Sequence, residues 1–385
     1  MDTLHSFMKR SLLALLACFA SSAPAADQWH VYFGCYTSPQ TGSKGIMVSS
    51  FNSVTGTLTE PVLAVATGSP SFLALHPSGK FLYAVGEMAV PGFKGGPVSA
   101  FAVNPPDGTL RLLNQADSIG GGPCHISLDA SGRMAMVANY GTGSVASYPV
   151  KPDGSLGKAA SFIQHQGSSV DPQRQKGPHA HSLNRSPDNR YAFACDLGLD
   201  KVFTYQIDPA AATLTAHGDT AAPPGAGPRH LAFHPGGKFA FVNNEMLMSV
   251  STFSYAADSG ALTLVDTVST LPPADQGKPG FSTAETVAHP NGKFVYVSNR
   301  THDTIAVFSC DPATGRLSLI QNAPAEGRIP RNFCLDPSGR WMIVAHQDSH
   351  SAALFKVDPD TGKLGFTGHK VKVGGAVCVR FLAAE

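Results

Sequence analysis

LAFHPGGKFAFVN, residues 231–243, places two apolar stretches on either side of the turn His234-Pro235-Gly236-Gly237-Lys238. Leu231 and Phe233 before the turn, and Phe239 and Phe241 after it, alternate as two short strands joined tightly do. The phrase returns five more times: LALHPSGKFLYAV (73–85), ISLDASGRMAMVA (126–138), LNRSPDNRYAFAC (183–195), TVAHPNGKFVYVS (286–298) and FCLDPSGRWMIVA (333–345). A seventh copy is split between the chain ends, with HVYFGCYT (30–37) as its second strand and GGAVCVRFL (374–382) as its first.

Between the hairpins runs a second phrase: SVTGTL, PPDGTL, PDGSL, PAAATL, ADSGAL, PATGRL and PDTGKL, ending at Leu58, Leu110, Leu156, Leu214, Leu262, Leu317 and Leu364. These leucines are 52, 46, 58, 48, 55 and 47 residues apart. Each unit therefore offers about four short strands, the content of one propeller blade. A split unit lets the termini pair and close a ring, which removes exposed sheet edges. The expectation is an all-β chain, a seven-bladed β-propeller over residues 27–385 closed by pairing of the N- and C-terminal strands in one blade. A β-sandwich gives no reason for a fixed period, and a solenoid needs polar caps and no split unit. Composition agrees, since 39 Gly and 29 Pro among 385 residues demand frequent turns and 43% hydrophobic residues supply a large core. Only 14% of residues are charged, 28 basic against 27 acidic, so bulk charge gives no footprint for nucleic acid.

Residues 1–26 are expected to be a signal peptide. Lys9 and Arg10 precede the apolar run from Ser11 to Ala20, and Ala23-Pro24-Ala25 supplies the small residues a signal peptidase reads. The run is too short to span a bilayer, so the mature protein is expected in the periplasm without a membrane span. Leu15-Leu16-Ala17-Cys18 is a loose lipoprotein box, and anchoring at Cys18 ranks second. The mature chain keeps Cys35, Cys124, Cys195, Cys310, Cys334 and Cys378. None is paired at CxxC spacing, so buried free thiols are expected and a structural zinc site is not.

Counting from the turn residues Gly79, Gly132, Asn189, Gly237, Gly292 and Gly339 places the polar residues. Eight residues of strand extend roughly 26 Å, so positions eight before and eight after the turn meet on one rim of the ring. Eight before stand Ser71, Cys124, His181, Arg229, Ala284 and Arg331, and one further in Phe72, His125, Ser182, His230, Glu285 and Asn332. Eight after stand Glu87, Tyr140, Leu197, Glu245, Arg300 and Gln347. A chain so poor in charge has little reason to gather arginines, histidines and glutamates in one place unless they act there. The competing reading is an inter-blade hydrogen-bond network, and His125 and His230 equally suit ties between loops. His76, His234 and His289 sit three before the turn, on the far face, and read as turn structure. His179 shares the strand parity of His181. The insert Gln164 to Gly177, the longest departure from the repeat, reads as a solvated flap over the rim.

GPCHIS, HSLNRSPDNR, GPRHLAFHPGGKF, VNNE, SNRT and IPRNF, in this order and spacing, resemble the lactonase family of seven-bladed propellers, which includes bacterial 6-phosphogluconolactonases and, more distantly, fungal carboxymuconate cyclases. The resemblance runs from about His30 to the C-terminus, and Glu245 sixteen residues after the Arg of GPRH is its most specific element. It implies a hydrolase opening a sugar-acid lactone, with no metal and no other cofactor. By the resemblance His181, Arg229, Glu245 and Arg300 fall at candidate site positions, with Arg331 and Glu285 beside them. Catalysis is expected from His181, Arg229, Glu245 and Glu285, and substrate binding from Arg300, Arg331, His125 and His230. His181 is the expected general base, Arg229 and Arg331 oxyanion or carboxylate partners, Glu245 an orienting group for His181 or Arg229, and Glu285 an alternative base. The expected partner is a small sugar lactone, with no nucleic acid, and the chain is expected to be a monomer. Export favours unphosphorylated glucono-1,5-lactone. The rival readings are a carboxymuconate-type cycloisomerase, a quinoprotein-like oxidoreductase and a non-catalytic propeller binding module. No Ser lies in a GxSxG elbow, which argues against an acyl-enzyme on serine.

Overall fold

The computed structural model describes residues 27–384, so the expected signal peptide and Cys18 lie outside the described residues. Seven antiparallel sheets form the ring. Six are four-stranded hairpin ladders whose inner strands are Pro70–Leu75, Pro123–Leu128, Ala180–Arg185, Pro228–Phe233, Ser282–Ala288 and Pro330–Leu335, taken here as blades one to six. Blade seven takes its inner strand Ala376–Ala383 from the C-terminus and its next strands Gln28–Cys35 and Gly45–Asn52 from the N-terminus. Trp29 pairs with Ala383 and Phe33 with Val379, so the split unit closes the ring as the sequence predicts. The only helical element among the described residues is the single turn Pro273–Asp275.

The two repeated phrases are halves of one contact between blades. The small residue of each second phrase sits at positive φ, and in five of the seven a Cβ on the glycine would run into the residue opening the second strand of the blade before, while at Gly108 it would meet His30 of the split blade. Gly154 faces Phe81, Gly260 Tyr191, Gly315 Phe239, Gly362 Phe294 and Gly56 Trp341, at 2.3 to 2.7 Å from that Cβ position. PAAATL has no glycine, and Ala212 stands there at φ 56°. Its counterpart in the preceding blade is Met134, a pliant side chain in the same apolar cluster. Tyrosines add the polar half of the staple, with Tyr32, Tyr83 and Tyr296 donating to the carbonyls of Gly108, Gly154 and Gly362 at 2.9 to 3.0 Å.

A second recurring device shapes the rim. Every inner strand slips register by one residue near its start, leaving one extra residue outside the ladder. In blade four Pro228 pairs with Asn244 and His230 with Asn243, so Arg229 is the extra residue. By the same pattern the extra residues are Ser71, Cys124, His181 and Arg331 in blades one, two, three and six, and Val377 in blade seven. A bulge frees a side chain from strand alternation and re-aims it. Proline precedes the bulge in four blades (Pro70, Pro123, Pro228 and Pro330), at a strand start where a missing N–H is tolerated.

Candidate active site

Six bulge residues, Ser71, Cys124, His181, Arg229, Arg331 and Val377, line one narrow cavity of about 10 Å³ at the axis, with Phe72, His230, Tyr36 and Glu87 completing the wall. Glu87 and Tyr36 each follow directly on a second strand, and so do Tyr140, Glu245 and Gln347 around them. Their amides bond back to the loop entering the inner strand, as Glu245 N does to Gly227 O at 2.8 Å and Glu87 N to Ser69 O at 3.0 Å. Bulge and strand end therefore meet at one level in each blade.

Arg229 is 2% exposed. Its Nη1 donates to the Ala284 carbonyl, and its Nε lies 3.0 Å from Glu245 Oε2. Glu245 also meets Arg300 Nη2 at 2.9 Å and Arg174 Nη2 at 2.9 Å. Burial favours the neutral acid, but Arg300, Arg229 and Arg174 prevail and hold the Glu245 carboxyl down at about 2. Arg229 is also lowered, to about 10, because burial and the cations Arg331 and Arg300 outweigh the carboxylates Glu245 and Glu285. It remains a cation at neutral pH. Arg331 lies over the Tyr36 ring with Cζ 5.5 Å from the centroid, and its Nη1 donates to Gln347 at 3.3 Å. Tyr36 in turn donates to Glu87 at 2.9 Å and, chiefly through burial, is pushed up to about 12.

The histidines separate by what their nitrogens do. His230 Nδ1 bonds Glu285 Oε1 at 2.9 Å, and its Nε2 faces Arg229 Nη1 at 3.4 Å, so both nitrogens are engaged. His125 accepts the Leu183 amide at 3.3 Å and packs against Phe72 and His230 below the cavity. His179 bonds the Tyr140 carbonyl and stacks on that ring, outside the cavity. His181 lines the cavity, with Nδ1 3.8 Å from Cys124 Sγ and no hydrogen bond at Nε2 among the described residues. Burial first, then Arg229, His230 and Arg331, hold its pKa well below the ordinary histidine value. The imidazole is neutral with one nitrogen free. Cys124 beside it is pushed up, mainly by burial, so the pair lacks the thiolate of a nucleophilic cysteine.

The expected site residues thus occupy two layers. His181, Arg229, His230 and Arg331 share the cavity wall. Glu245 and Arg300 stand behind Arg229, and Glu245 orients the arginine, with no contact to His181. Glu285 lies deeper, held by His230, Asn332 and the Thr286 amide. Two residues were missed. Tyr36 belongs to the split blade, which has no hairpin turn to count from. Arg174 belongs to the insert, which is strapped to the protein body: His165 is buried between Asp196 and Tyr205 at 2.6 Å each, and Gln175 is fully buried.

A larger cavity, about 420 Å³, opens at the opposite mouth and includes Arg185 and Arg380. Its carboxylate Asp129 is consumed by its own turn, through Ser131 and the Met134 amide, and Arg380 donates to the Leu73 and Val379 carbonyls. His234 belongs to this face, where its Nε2 meets the Gly292 carbonyl at 2.9 Å. The smaller mouth therefore carries the concentration of free base and cations.

Residues 30–381 match the family model described as lactonase, 7-bladed beta-propeller. A 6-phosphogluconolactonase of Bacillus subtilis is 36% identical over 305 residues, 79% of this chain and 84% of that protein. A 6-phosphogluconolactonase of Formosa agariphila is 33% identical over 311 residues, 80% of this chain and 86% of that protein. The solved structure of a periplasmic gluconolactonase from Pseudomonas aeruginosa superposes with a TM-score of 0.86 at 35% identity, covering 93% of this chain and all of that one. On the ring, its closure and this agreement along nearly its whole length, the chain belongs to the seven-bladed β-propeller lactonase family.

Proposed function

We propose that the protein is an exported lactonase that opens the ester ring of glucono-1,5-lactone to the free aldonate. The observation that carries the reading is the free Nε2 of a neutral, buried His181 sharing one cavity with two guanidiniums, Arg229 and Arg331. In this mechanism a water gives a proton to His181 Nε2 as its oxygen bonds the lactone carbonyl carbon. The charge that develops on the carbonyl oxygen is met by Arg229 and Arg331, which are already in place and desolvated. The tetrahedral species collapses, the ring C–O bond breaks, and the imidazolium returns its proton to the departing ring oxygen. Glu245 fixes the Arg229 guanidinium. The carboxylic acid so formed releases its remaining proton to solvent, and the carboxylate is held briefly by the same arginines.

The names of the relatives, 6-phosphogluconolactonase and periplasmic gluconolactonase, support lactone opening. Export rests on the Lys9-Arg10 and Ala23-Pro24-Ala25 pattern, and it places the enzyme with unphosphorylated lactones. Acid release from glucono-1,5-lactone by the purified chain starting near Ala26, after subtraction of spontaneous opening, tests the reaction. Release no faster than the spontaneous rate overturns it. A reporter fused to residues 1–26 tests export, and its retention in the cytoplasm overturns that part alone.

A further inference from the structure

We infer that the mouth opposite the catalytic cavity is a separate anion site, and that the ligand it fits is a small organic monocarboxylate. Its cavity of about 420 Å³ is walled chiefly by the inner strands of blades seven, one, two and three. The polar groups there offer donors almost without acceptors. His125 is 4% exposed, and burial first, then His230, Arg380 and Arg229, keep its imidazole neutral at pH 7. Its Nδ1 accepts the Leu183 amide at 3.3 Å, so the ring proton stands on Nε2. That N–H meets no acceptor among the described residues. Asn184 Nδ2 is buried without a partner. Arg185 spends Nη1 on the Ser186 carbonyl at 3.1 Å and keeps Nε and Nη2. Arg380 gives Nε and Nη1 to the Leu73 and Val379 carbonyls and keeps Nη2. Buried donors are ordinarily matched, and four residues facing one cavity with unmatched donors call for an acceptor from outside.

Charge selects the ligand. Neither Arg185 nor Arg380 has an ion-pair partner among the described residues. The carboxylate in the same wall, Asp129, is desolvated by burial, but its bonds from Ser131 and the Met134 amide prevail and hold it below the usual carboxylate range. Glu285 is committed to His230 and Asn332 and acts on Arg380 only at a distance. Two cations against one carboxylate leave the cavity one negative charge short, which a monoanion supplies and a dianion exceeds. A halide would leave most of the space empty, whereas Phe72, Ala74 and Pro77 give a carbon body an apolar wall. Planar guanidiniums suit a carboxylate head. An adjoining hollow shares Asn184 and Arg185 and extends to His234 and Pro235. Phe72 belongs to the walls of both this cavity and the catalytic one, with the His125 ring 4.3 Å and Arg380 Cζ 4.7 Å from its centroid. A layer of rings thus divides the two sites, and His125 serves the lower one.

The test is calorimetric titration of the purified protein with sodium butyrate and, separately, sodium gluconate, against sodium chloride at equal ionic strength, with Tm read alongside. Butyrate is expected to bind the wild type and raise its Tm by mass action. Arg185→Gln should weaken that binding about 10- to 100-fold, the usual value of a hydrogen bond to a charged group. Asn184→Leu removes a buried, unmatched donor at similar volume, so it should weaken binding without lowering Tm, which separates a lost ligand contact from a lost fold. Arg331→Gln, in the catalytic cavity, should leave butyrate binding as it was. Gluconate binding that responds to the same variants supports the site too, and makes the aldonate from lactone opening one source of its ligand. Butyrate affinity unchanged in Arg185→Gln, or lost in Arg331→Gln alone, overturns the inference, and so does a wild type that gives neither heat nor a Tm shift. Heat from chloride equal to that from butyrate overturns the carboxylate and leaves a site for inorganic anions.

Discussion

His181 keeps its lone pair because burial and the neighbouring cations exclude the proton. A base that must be neutral works above its pKa, so the acid limb of the kcat/KM profile is expected below the ordinary histidine value of about 6.5. Arg331→Gln removes one of the repelling charges, raises the His181 pKa and moves that limb to higher pH. A limb that stays in place would show that His181 is not the titrating group. His181→Ala is expected to lower kcat by about 10²- to 10⁴-fold. Arg229→Lys should recover little of the activity lost in Arg229→Ala, because a point charge cannot hold Glu245 and the Ala284 carbonyl together with an oxyanion. His234→Ala at the other mouth is the control, with kcat unchanged and a cost of about 1 kcal/mol for one inter-blade hydrogen bond. Glu245 adds a stability signature. Its pKa is depressed on folding, so its contribution is complete above the unfolded value and disappears as pH falls from about 4.5 toward 2, an amplitude of about 3 kcal/mol. Acid unfolding of Glu245→Gln, which has nothing to titrate, should lack that step.

At the scale of strands and turns, the staple between blades makes a sharp prediction. Gly315 sits at φ +72°, and a Cβ there would lie 2.6 Å from Phe239 Cδ1. Gly315→Ala should cost about 2 to 4 kcal/mol, from left-handed backbone strain and overpacking together. Gly365 has nothing within 4 Å of the added atom. Gly365→Ala should therefore stay within about 0.5 kcal/mol, and equal losses in thermal melts would show the staple is misread. The same regularity explains what the sequence disclosed. A hairpin turn is a fixed origin, so counting eight residues either way found His181, Arg229, Arg331 and Glu245 without coordinates. The count could not see a bulge, which is a slip in pairing and not in composition. It therefore placed Glu285 and His125 on the rim, when both lie below it. Tyr36 had no turn to be counted from. Arg174 lies in a segment with no counterpart in other blades, and its neighbours His165 and Gln175 look polar enough for solvent until their buried partners are known.

For the molecule as a whole, closure depends on the last strand. Removing residues 374–385 deletes the inner strand of blade seven and uncovers the apolar Gln28–Cys35 strand, so the folded species on size exclusion should be largely lost. A truncated chain with unchanged thermal unfolding would mean that the ring does not need this pairing. The seven register slips have a wider consequence. Because an extra residue takes no part in its ladder, its identity is nearly independent of the pairing that holds the blade together. Each blade then contributes one interchangeable letter to the mouth, here Ser, Cys, His, Arg, Arg and Val from six of them. The scaffold separates the grammar of folding from the vocabulary of chemistry, so a new activity can be spelled one blade at a time while the ring stays shut.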